Sequence, residues 1–184
     1  MNNGGPYVRM LVKIAEYKRG GTYKIVSLLC GSIVFLIILP LIIFTIVGMA
    51  ICPDDFAFLP RIVEWILSPI EIVVGLSIVA WSAWTQWTIG RGTPAPFAPT
   101  THLVISGPYA YCRNPIELGA IIYYLGLGTI FGGTVLGVVC LVTGLAVGSL
   151  YHRFVEEKEL SQRFGDEYEA YRKNTPFLIP RFRK

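Results

Sequence analysis

The chain has 184 residues, of which 53% are hydrophobic and only 15% are charged, and its mean hydropathy is +0.55. Soluble domains carry about 25% charged residues, so this composition is that of a membrane protein without room for a separate soluble domain. The net charge of +4 is too small and too scattered to indicate a nucleic-acid-binding protein.

The first 24 residues are predicted to form an amphipathic segment. Apolar residues at near-helical spacing alternate there with Arg9, Lys13 and Lys24. This pattern is typical of a helix lying on an anionic membrane surface, and no cleavage site typical of a signal peptide follows it. We therefore expect the segment to be retained, and residues 25–180 to form a single membrane-embedded domain.

Two transmembrane helices are predicted in the first half of the chain. Residues 25–52 carry no charge and exceed the about 20 residues that span a bilayer, with a kink expected at Pro40. After a polar turn at Asp54–Asp55, the stretch Ser68-Pro69-Ile70-Glu71 combines a cap residue, a first-turn proline and a following acidic residue. A second helix is therefore predicted over residues 69–90, with Glu71 at its start and a tryptophan belt at its end.

A polar loop separates these spans from the next ones. Residues 91–106 contain three prolines, which exclude a regular helix, and lead into the stretch Gly107–Gly119, GPYAYCRNPIELG. Polar side chains at the mouth of an apolar helix are costly to desolvate and mark a candidate functional site. Asn114 and Glu117 fit either a capping box or a ligand-binding role, and the two roles are compatible.

An uncharged stretch divided by Gly132-Gly133 follows the loop. Helices predicted over residues 115–131 and 134–155 would form a C-terminal hairpin, whose first arm is slightly short for the hydrocarbon core at 1.5 Å per residue. The predicted fold is therefore an all-α membrane protein with about four transmembrane helices.

The basic residues indicate the orientation. Lys and Arg are concentrated in the N-terminal segment, in the loop 91–113 and in the tail from Arg153 onwards. The positive-inside rule then places both termini and the loop on the cytoplasmic side. The polar tail is predicted to fold back over this loop.

Individual side chains of the tail and loop allow more than one interpretation. The acidic residues Glu156, Glu157 and Glu159 fit either a solvated helix face or part of a site. His102 and His152 are interpreted as interfacial rather than catalytic. The four cysteines stand without a CxxC pair, so neither a disulfide framework nor a zinc site is expected, and for Cys112 a packed thiol is favoured over a reactive one.

Two motifs in order carry a family resemblance. The stretch Gly107–Gly119 is followed, one apolar hairpin later, by RFVEEKELSQRFGDEYEAYRKNTPFLIP. Together they resemble the integral-membrane isoprenylcysteine carboxyl methyltransferase and phospholipid methyltransferase superfamily over about half of the chain. The resemblance implies an enzyme that moves a methyl group from S-adenosylmethionine to a lipidic acceptor from the bilayer, a prenylcysteine-like carboxylate or a phospholipid amine.

The resemblance also implies which residues form the site. The cofactor carries a sulfonium and an ammonium group, which favour carboxylates and aromatic faces, and a carboxylate, which favours arginine or backbone donors. The predicted catalytic residues are Arg113, Glu117 and Arg153, of which Glu117 stands where the family has a tyrosine. The implied cofactor-binding residues are Leu103, Val104, Gly107, Tyr109, Asn114, Glu156, Glu157, Tyr168 and Tyr171.

Two features of the motifs leave choices open. The family usually has Arg-His-Pro-x-Tyr where this chain has Arg113-Asn114-Pro115-Ile116-Glu117, which leaves the acceptor undetermined. Glu156 and Glu157 are about 100° apart on a helix, so one is predicted to meet the cofactor and the other to pair with Arg153 or Arg113.

Two other functions are compatible with the same hydropathy pattern. One is an NADPH-dependent membrane reductase of the sterol-reductase-like type, whose relatives share a similar hairpin and an Arg-His-Pro loop, although the loop here offers only Arg91 and Arg113 for the phosphates of a dinucleotide. The other is a non-catalytic membrane protein that keeps the fold.

Overall fold

The computed structural model describes residues 5–16, 20–50 and 59–181, and throughout these ranges the regular structure is helical, which confirms the all-α prediction. Cys52 and the predicted turn at Asp54–Asp55 lie outside the described residues. Within them, the helices that are long and apolar enough to cross a membrane are Gly21–Ile46, Arg61–Thr88 and Pro115–Asn174. The protein is therefore a multi-pass membrane protein.

Helices make up most of the described residues. In chain order they are α1 (Pro6–Glu16), α2 (Gly21–Ile33), a π-helical turn (Val34–Ile38), α3 (Leu39–Ala50), α4 (Arg61–Thr88), a 3₁₀ turn (Gly107–Ala110), α5 (Pro115–Tyr151), a second π-helical turn (His152–Glu156) and α6 (Glu157–Asn174).

The contacts divide the chain into two compact units. The first contains the chain up to Gly31, then Trp81–Pro115, and then the chain from Gly148 onwards. The second contains Ser32–Ala80 and Ile116–Val147. The candidate site residues lie in the first unit, with the exception of Glu117.

In the first unit, the amphipathic helix α1 packs against α6 and the second π-helical turn. Its apolar residues Val8 and Leu11 are buried, whereas Arg9 and Lys13 are exposed. The apolar face predicted to rest on the membrane is therefore used, at these two positions, for packing inside the protein.

In the second unit, two tyrosine hydroxyls donate to the backbone carbonyls that lose their usual helical donor before Pro40. A proline has no N–H group to donate to a preceding carbonyl, and the turn before it is π-helical. The hydroxyl of Tyr124 donates to the Phe35 carbonyl at 2.6 Å, and the hydroxyl of Tyr123 donates to the Leu36 carbonyl at 3.0 Å. Leaving a backbone carbonyl without a hydrogen bond in hydrocarbon costs on the order of several kcal/mol. Because the tyrosines avoid this cost, their hydrogen bonds anchor α5 to the first span.

The local signature predicted that the second span begins just after Ser68, and this prediction is wrong. Helix α4 starts at Arg61 and continues through Pro69, so Glu71 lies inside a helix and not at its start. The buried hydroxyl of Ser68 donates to the Glu64 carbonyl one turn earlier, at 2.8 Å, rather than capping a new helix. In an apolar environment no water competes for the backbone groups, so a helix tolerates an internal proline that would break it in water.

The predicted hairpin is present in the second unit. Gly133, with φ of 84° and ψ of 172°, breaks the helical path of α5. The two arms then run together so closely that a Cβ atom on Gly128 would lie 2.6 Å from the Gly137 Cα, and one on Gly144 would lie 2.9 Å from the Tyr124 ring. Small residues allow this approach of helix backbones in a membrane.

The start of the second arm is held by a buried glutamate from α4. Glu64 is 2% exposed and accepts hydrogen bonds from the backbone N–H of Thr134, at 2.7 Å, and from its hydroxyl, at 2.8 Å. Arg61 donates to the other carboxylate oxygen at 3.1 Å. Glu64 thus satisfies a free N–H at a helix start, a role that no local sequence signal predicted.

Candidate functional site

The loop between α4 and α5 ends in a tightly packed turn. Gly107 has φ of 61°, a left-handed conformation that favours glycine, and a Cβ atom there would lie 3.2 Å from the Thr85 side chain of α4. The following Tyr109 is buried, and so is Cys112. Burial raises the pKa of the Cys112 thiol to about 11, so this thiol is protonated at neutral pH and is not an activated nucleophile.

The tail strap, Thr175–Arg181, folds back over this loop as predicted. The backbone N–H of Arg113 donates to the Pro176 carbonyl at 2.9 Å, and that of Asn114 donates to the Phe177 carbonyl at 3.2 Å. At the far end of the strap, the backbone N–H of Arg181 donates to the Tyr111 carbonyl at 3.0 Å. Backbone hydrogen bonds on both sides of the motif therefore hold the strap in register.

The side chain of Asn114 belongs to the same contact. Its amide nitrogen donates to the Phe177 carbonyl at 3.0 Å, and it makes no side-chain capping bond to α5. The capping interpretation of Asn114 is therefore wrong. The reason is tertiary, because the strap offers an acceptor that the isolated helix start does not.

Arg113 is the polar centre of the loop. Its guanidinium pairs with the carboxylate of Glu157, donates to the Thr175 carbonyl at 3.1 Å and lies 3.4 Å from the Tyr168 hydroxyl. The Arg113 and Glu157 side chains are 12% and 17% exposed. Solvent screens the attraction within a pair this buried less than that within a surface ion pair, and removal of either partner would leave a poorly hydrated charge.

The neighbouring carboxylate has a different partner. Glu156 accepts a hydrogen bond from Nδ1 of His152, four residues earlier in the second π-helical turn. Glu156 also lies within electrostatic range of Tyr109 and Tyr168. The pKa of Tyr109 is raised, mainly by burial and to a smaller extent by the negative charge of Glu156. The two adjacent glutamates therefore have different partners. Glu157 pairs with Arg113, one of the two arginines that the sequence analysis named as possible partners.

Two tyrosines of α6 complete this side of the site. Tyr168 is buried, and its ring centroid lies 6.3 Å from that of Tyr171. The hydroxyl of Tyr171 donates to the Tyr109 carbonyl at 2.7 Å. Tyr171 thus joins α6 to the 3₁₀ turn.

Sequence reasoning missed Phe177, which connects several predicted residues. The guanidinium carbons of Arg113 and Arg153 lie 5.6 Å and 5.1 Å from the centroid of its ring, within the range of cation–π contacts. The ring of His152 meets the same ring edge-on at 6.5 Å. A single aromatic residue next to a proline gives no local signal for such a role.

The acidic face of the tail is not an ordinary solvated surface. Glu159 is 6% exposed and pairs with Arg163 at 2.6 Å. Arg163 also donates to the Thr100 carbonyl of the loop. The solvated-face alternative is therefore wrong for Glu159, since its carboxylate is buried and paired with an arginine that contacts the loop.

The remaining predicted residues have simpler surroundings. Val104 is buried and Leu103 is half-buried in the loop. Arg153 is exposed apart from its contact with Phe177. Glu117 is 4% exposed and lies on α5 in the second compact unit.

The comparisons with known proteins concern the same part of the chain. The family model described as phospholipid methyltransferase matches residues 63–167, which is more than half of the chain. This range includes all but the first two residues of α4, the loop, α5, the second π-helical turn and more than half of α6.

Individual relatives match over shorter segments. The chain is 36% identical over 83 residues to a protein-S-isoprenylcysteine O-methyltransferase of Mus musculus, covering 44% of this chain and 28% of that protein. The Schizosaccharomyces pombe protein of the same name is 38% identical over 80 residues, covering 42% and 33%. A nickel-cobalt-cadmium resistance protein NccN of Alcaligenes xylosoxydans xylosoxydans is 29% identical over 102 residues, covering 53% and 46%.

In each case the match spans less than half the length of the relative. The family model, in contrast, covers both the loop that carries Arg113 and the carboxylates that follow the hairpin. The chain therefore belongs to the phospholipid methyltransferase family, a family of S-adenosylmethionine-dependent membrane methyltransferases.

Proposed function

We propose that this protein transfers a methyl group from S-adenosylmethionine to a lipidic acceptor that reaches the site from the bilayer. The observation that supports this function best is the charged cluster in the first unit, where the largely buried Arg113 pairs with Glu157 and lies beside the Tyr168 hydroxyl, and where the charge of the half-buried Glu156 acts on Tyr109 and Tyr168. Buried ionisable groups in a membrane protein are costly and mark functional sites.

The residues of this cluster fit the proposed cofactor chemically. Glu156 would meet one of its cationic groups, and the rings of Tyr109 and Tyr168 would offer aromatic faces to the other. The Tyr109 hydroxyl is buried, and among the described residues it makes no well-formed hydrogen bond, with the Gln86 side chain as its polar neighbour. A polar group of a bound ligand would satisfy it.

Methyl transfer from this cofactor requires little acid–base catalysis by the protein. The cofactor supplies an activated methyl group, and in-line transfer depends on alignment and on exclusion of water. In our proposal, Arg113 and Asn114 hold the strap over the site, and Arg153 attracts an anionic acceptor. Glu117 remains a catalytic candidate predicted from the sequence.

The proposed orientation places the loop and both termini on the cytoplasmic side. Single cysteines introduced near Asp54 are expected to react with an impermeant maleimide from outside, and cysteines at Thr100 and Lys184 only after permeabilisation. The physical reason is the excess of Lys and Arg on the segments assigned to the inside. Labelling of a cysteine at Thr100 in intact cells would contradict this orientation.

Binding and transfer assays test the proposed activity. Isothermal titration in detergent is expected to show micromolar binding of S-adenosylhomocysteine and no comparable binding of NADPH, because the loop has few basic side chains for a dinucleotide. Binding of NADPH alone would support the reductase, and binding of neither would support the non-catalytic alternative.

Labelled cofactor then identifies the acceptor class. Incubation with a lipid extract is expected to move the labelled methyl group into the organic phase. A prenylcysteine carboxylate would yield a methyl ester that mild base releases as methanol, whereas a phospholipid amine would yield a base-stable N-methyl group. Absence of label from the organic phase under binding conditions would contradict a lipidic acceptor.

A further inference from the structure

The carboxylate proposed to meet the cofactor is held by a residue that the sequence assigned to the interface. Nδ1 of His152 lies in hydrogen-bond contact with the Glu156 carboxylate, and the two side chains are 16% and 35% exposed. The imidazole ring is itself packed, with the Phe177 ring 6.5 Å away and the Tyr151 ring 5.8 Å away, both edge-on.

We infer that His152 is a positioning residue that orients the Glu156 carboxylate for cofactor binding, an inference that rests on the proposed function. A glutamate side chain loses rotamer entropy when it is ordered. An imidazole already fixed by packing supplies part of that order before the ligand arrives. Supporting groups of this kind keep binding side chains within about 0.5 Å of a productive geometry.

The backbone around the pair supports this role. Residues His152–Glu156 form a π-helical turn between α5 and α6, and single π-helical turns within α-helices occur frequently at functional sites. The tail strap supplies Phe177 on one side of the imidazole, so the orientation of His152 depends on the same strap that binds Arg113 and Asn114.

The test compares two substitutions of His152 by titration of the detergent-solubilised protein with S-adenosylhomocysteine. His152→Leu keeps much of the volume but removes the donor, and it is expected to weaken binding about tenfold. His152→Asn places an amide nitrogen near the position of Nδ1, and it is expected to stay within about threefold of the unsubstituted protein. If His152 acted only through packing, His152→Leu would bind S-adenosylhomocysteine more tightly than His152→Asn.

A double-substitution cycle shows whether His152 acts through Glu156. In the Glu156→Gln background, His152→Leu is expected to weaken binding by less than about threefold, because the carboxylate that it orients is absent. His102→Leu, at the other histidine of the chain and in an exposed position, is the matched control and is expected to bind normally.

Each other outcome overturns the inference. Normal binding by His152→Leu, equal losses in His152→Leu and His152→Asn, or the same tenfold loss in both backgrounds would each exclude a positioning role while leaving the proposed function intact. Failure of the unsubstituted protein to bind S-adenosylhomocysteine would overturn the proposed function, and the role of His152 with it.

Discussion

Replacement of Arg113 by methionine is expected to weaken S-adenosylhomocysteine binding by at least about a hundredfold and to destabilise the protein by about 3–5 kcal/mol. The substitution leaves the largely buried Glu157 charge without its partner, which is the costly way to break a buried ion pair. It also removes the donor to the Thr175 carbonyl, so the tail strap loses a side-chain anchor in addition to the ion pair.

Thermal unfolding in detergent and ligand titration measure the two effects separately. Arg113→Lys keeps the positive charge but not the planar guanidinium that reaches both Glu157 and the strap. Its stability and its affinity should therefore lie between those of the unsubstituted protein and those of Arg113→Met. Arg172→Met is the matched control. Arg172 pairs with Glu169 at 2.8 Å, but its side chain is 44% exposed, and its loss should change stability by less than about 1 kcal/mol. Equal behaviour of the Arg113 and Arg172 variants would contradict a special role for Arg113.

The adjacent glutamates are expected to separate affinity from stability. Glu156→Gln should weaken S-adenosylhomocysteine binding about tenfold to a hundredfold, the range for loss of one charge-assisted hydrogen bond, with a small change in melting temperature. Glu157→Gln should lower the melting temperature more, because it leaves the Arg113 guanidinium largely buried without its counter-charge, and it should perturb affinity less.

The same two measurements decide this prediction. Glu167→Gln, at an exposed position of α6, is the control for removal of one negative charge from the tail and should leave both quantities unchanged. If the two glutamate variants bind the ligand as well as the unsubstituted protein, the assignment of these carboxylates to the cofactor is wrong. If Glu156→Gln instead gives the larger loss of stability, the two roles are exchanged.

The sequence alone was sufficient for the presence of the apolar spans, the hairpin and the loop, but not for the start of α4, which lies at Arg61 instead of residue 69. Long uncharged runs, the glycine pair that includes Gly133, and the prolines of residues 91–106 act through hydrophobic transfer and backbone geometry. These effects depend on the residue and its immediate neighbours, so they can be predicted locally. The end of α6 has a local cause of the same kind, since Pro176 and Pro180 cannot continue a helix.

The partner of each polar side chain was decided by the tertiary structure. The sequence offered two arginines for the paired glutamates, and the structure sets Glu157 on Arg113 and Glu156 on His152. In the same way, Asn114 meets the strap instead of capping α5. A hydrogen bond requires two atoms about 3 Å apart, and in these cases the closest partner belongs to another turn or another segment of the chain. For Arg113 and Asn114 that distance is set by how the loop, α6 and the strap pack, which no local sequence pattern encodes. His152 and Glu156, in contrast, stand four residues apart, a spacing at which side chains meet on a helix.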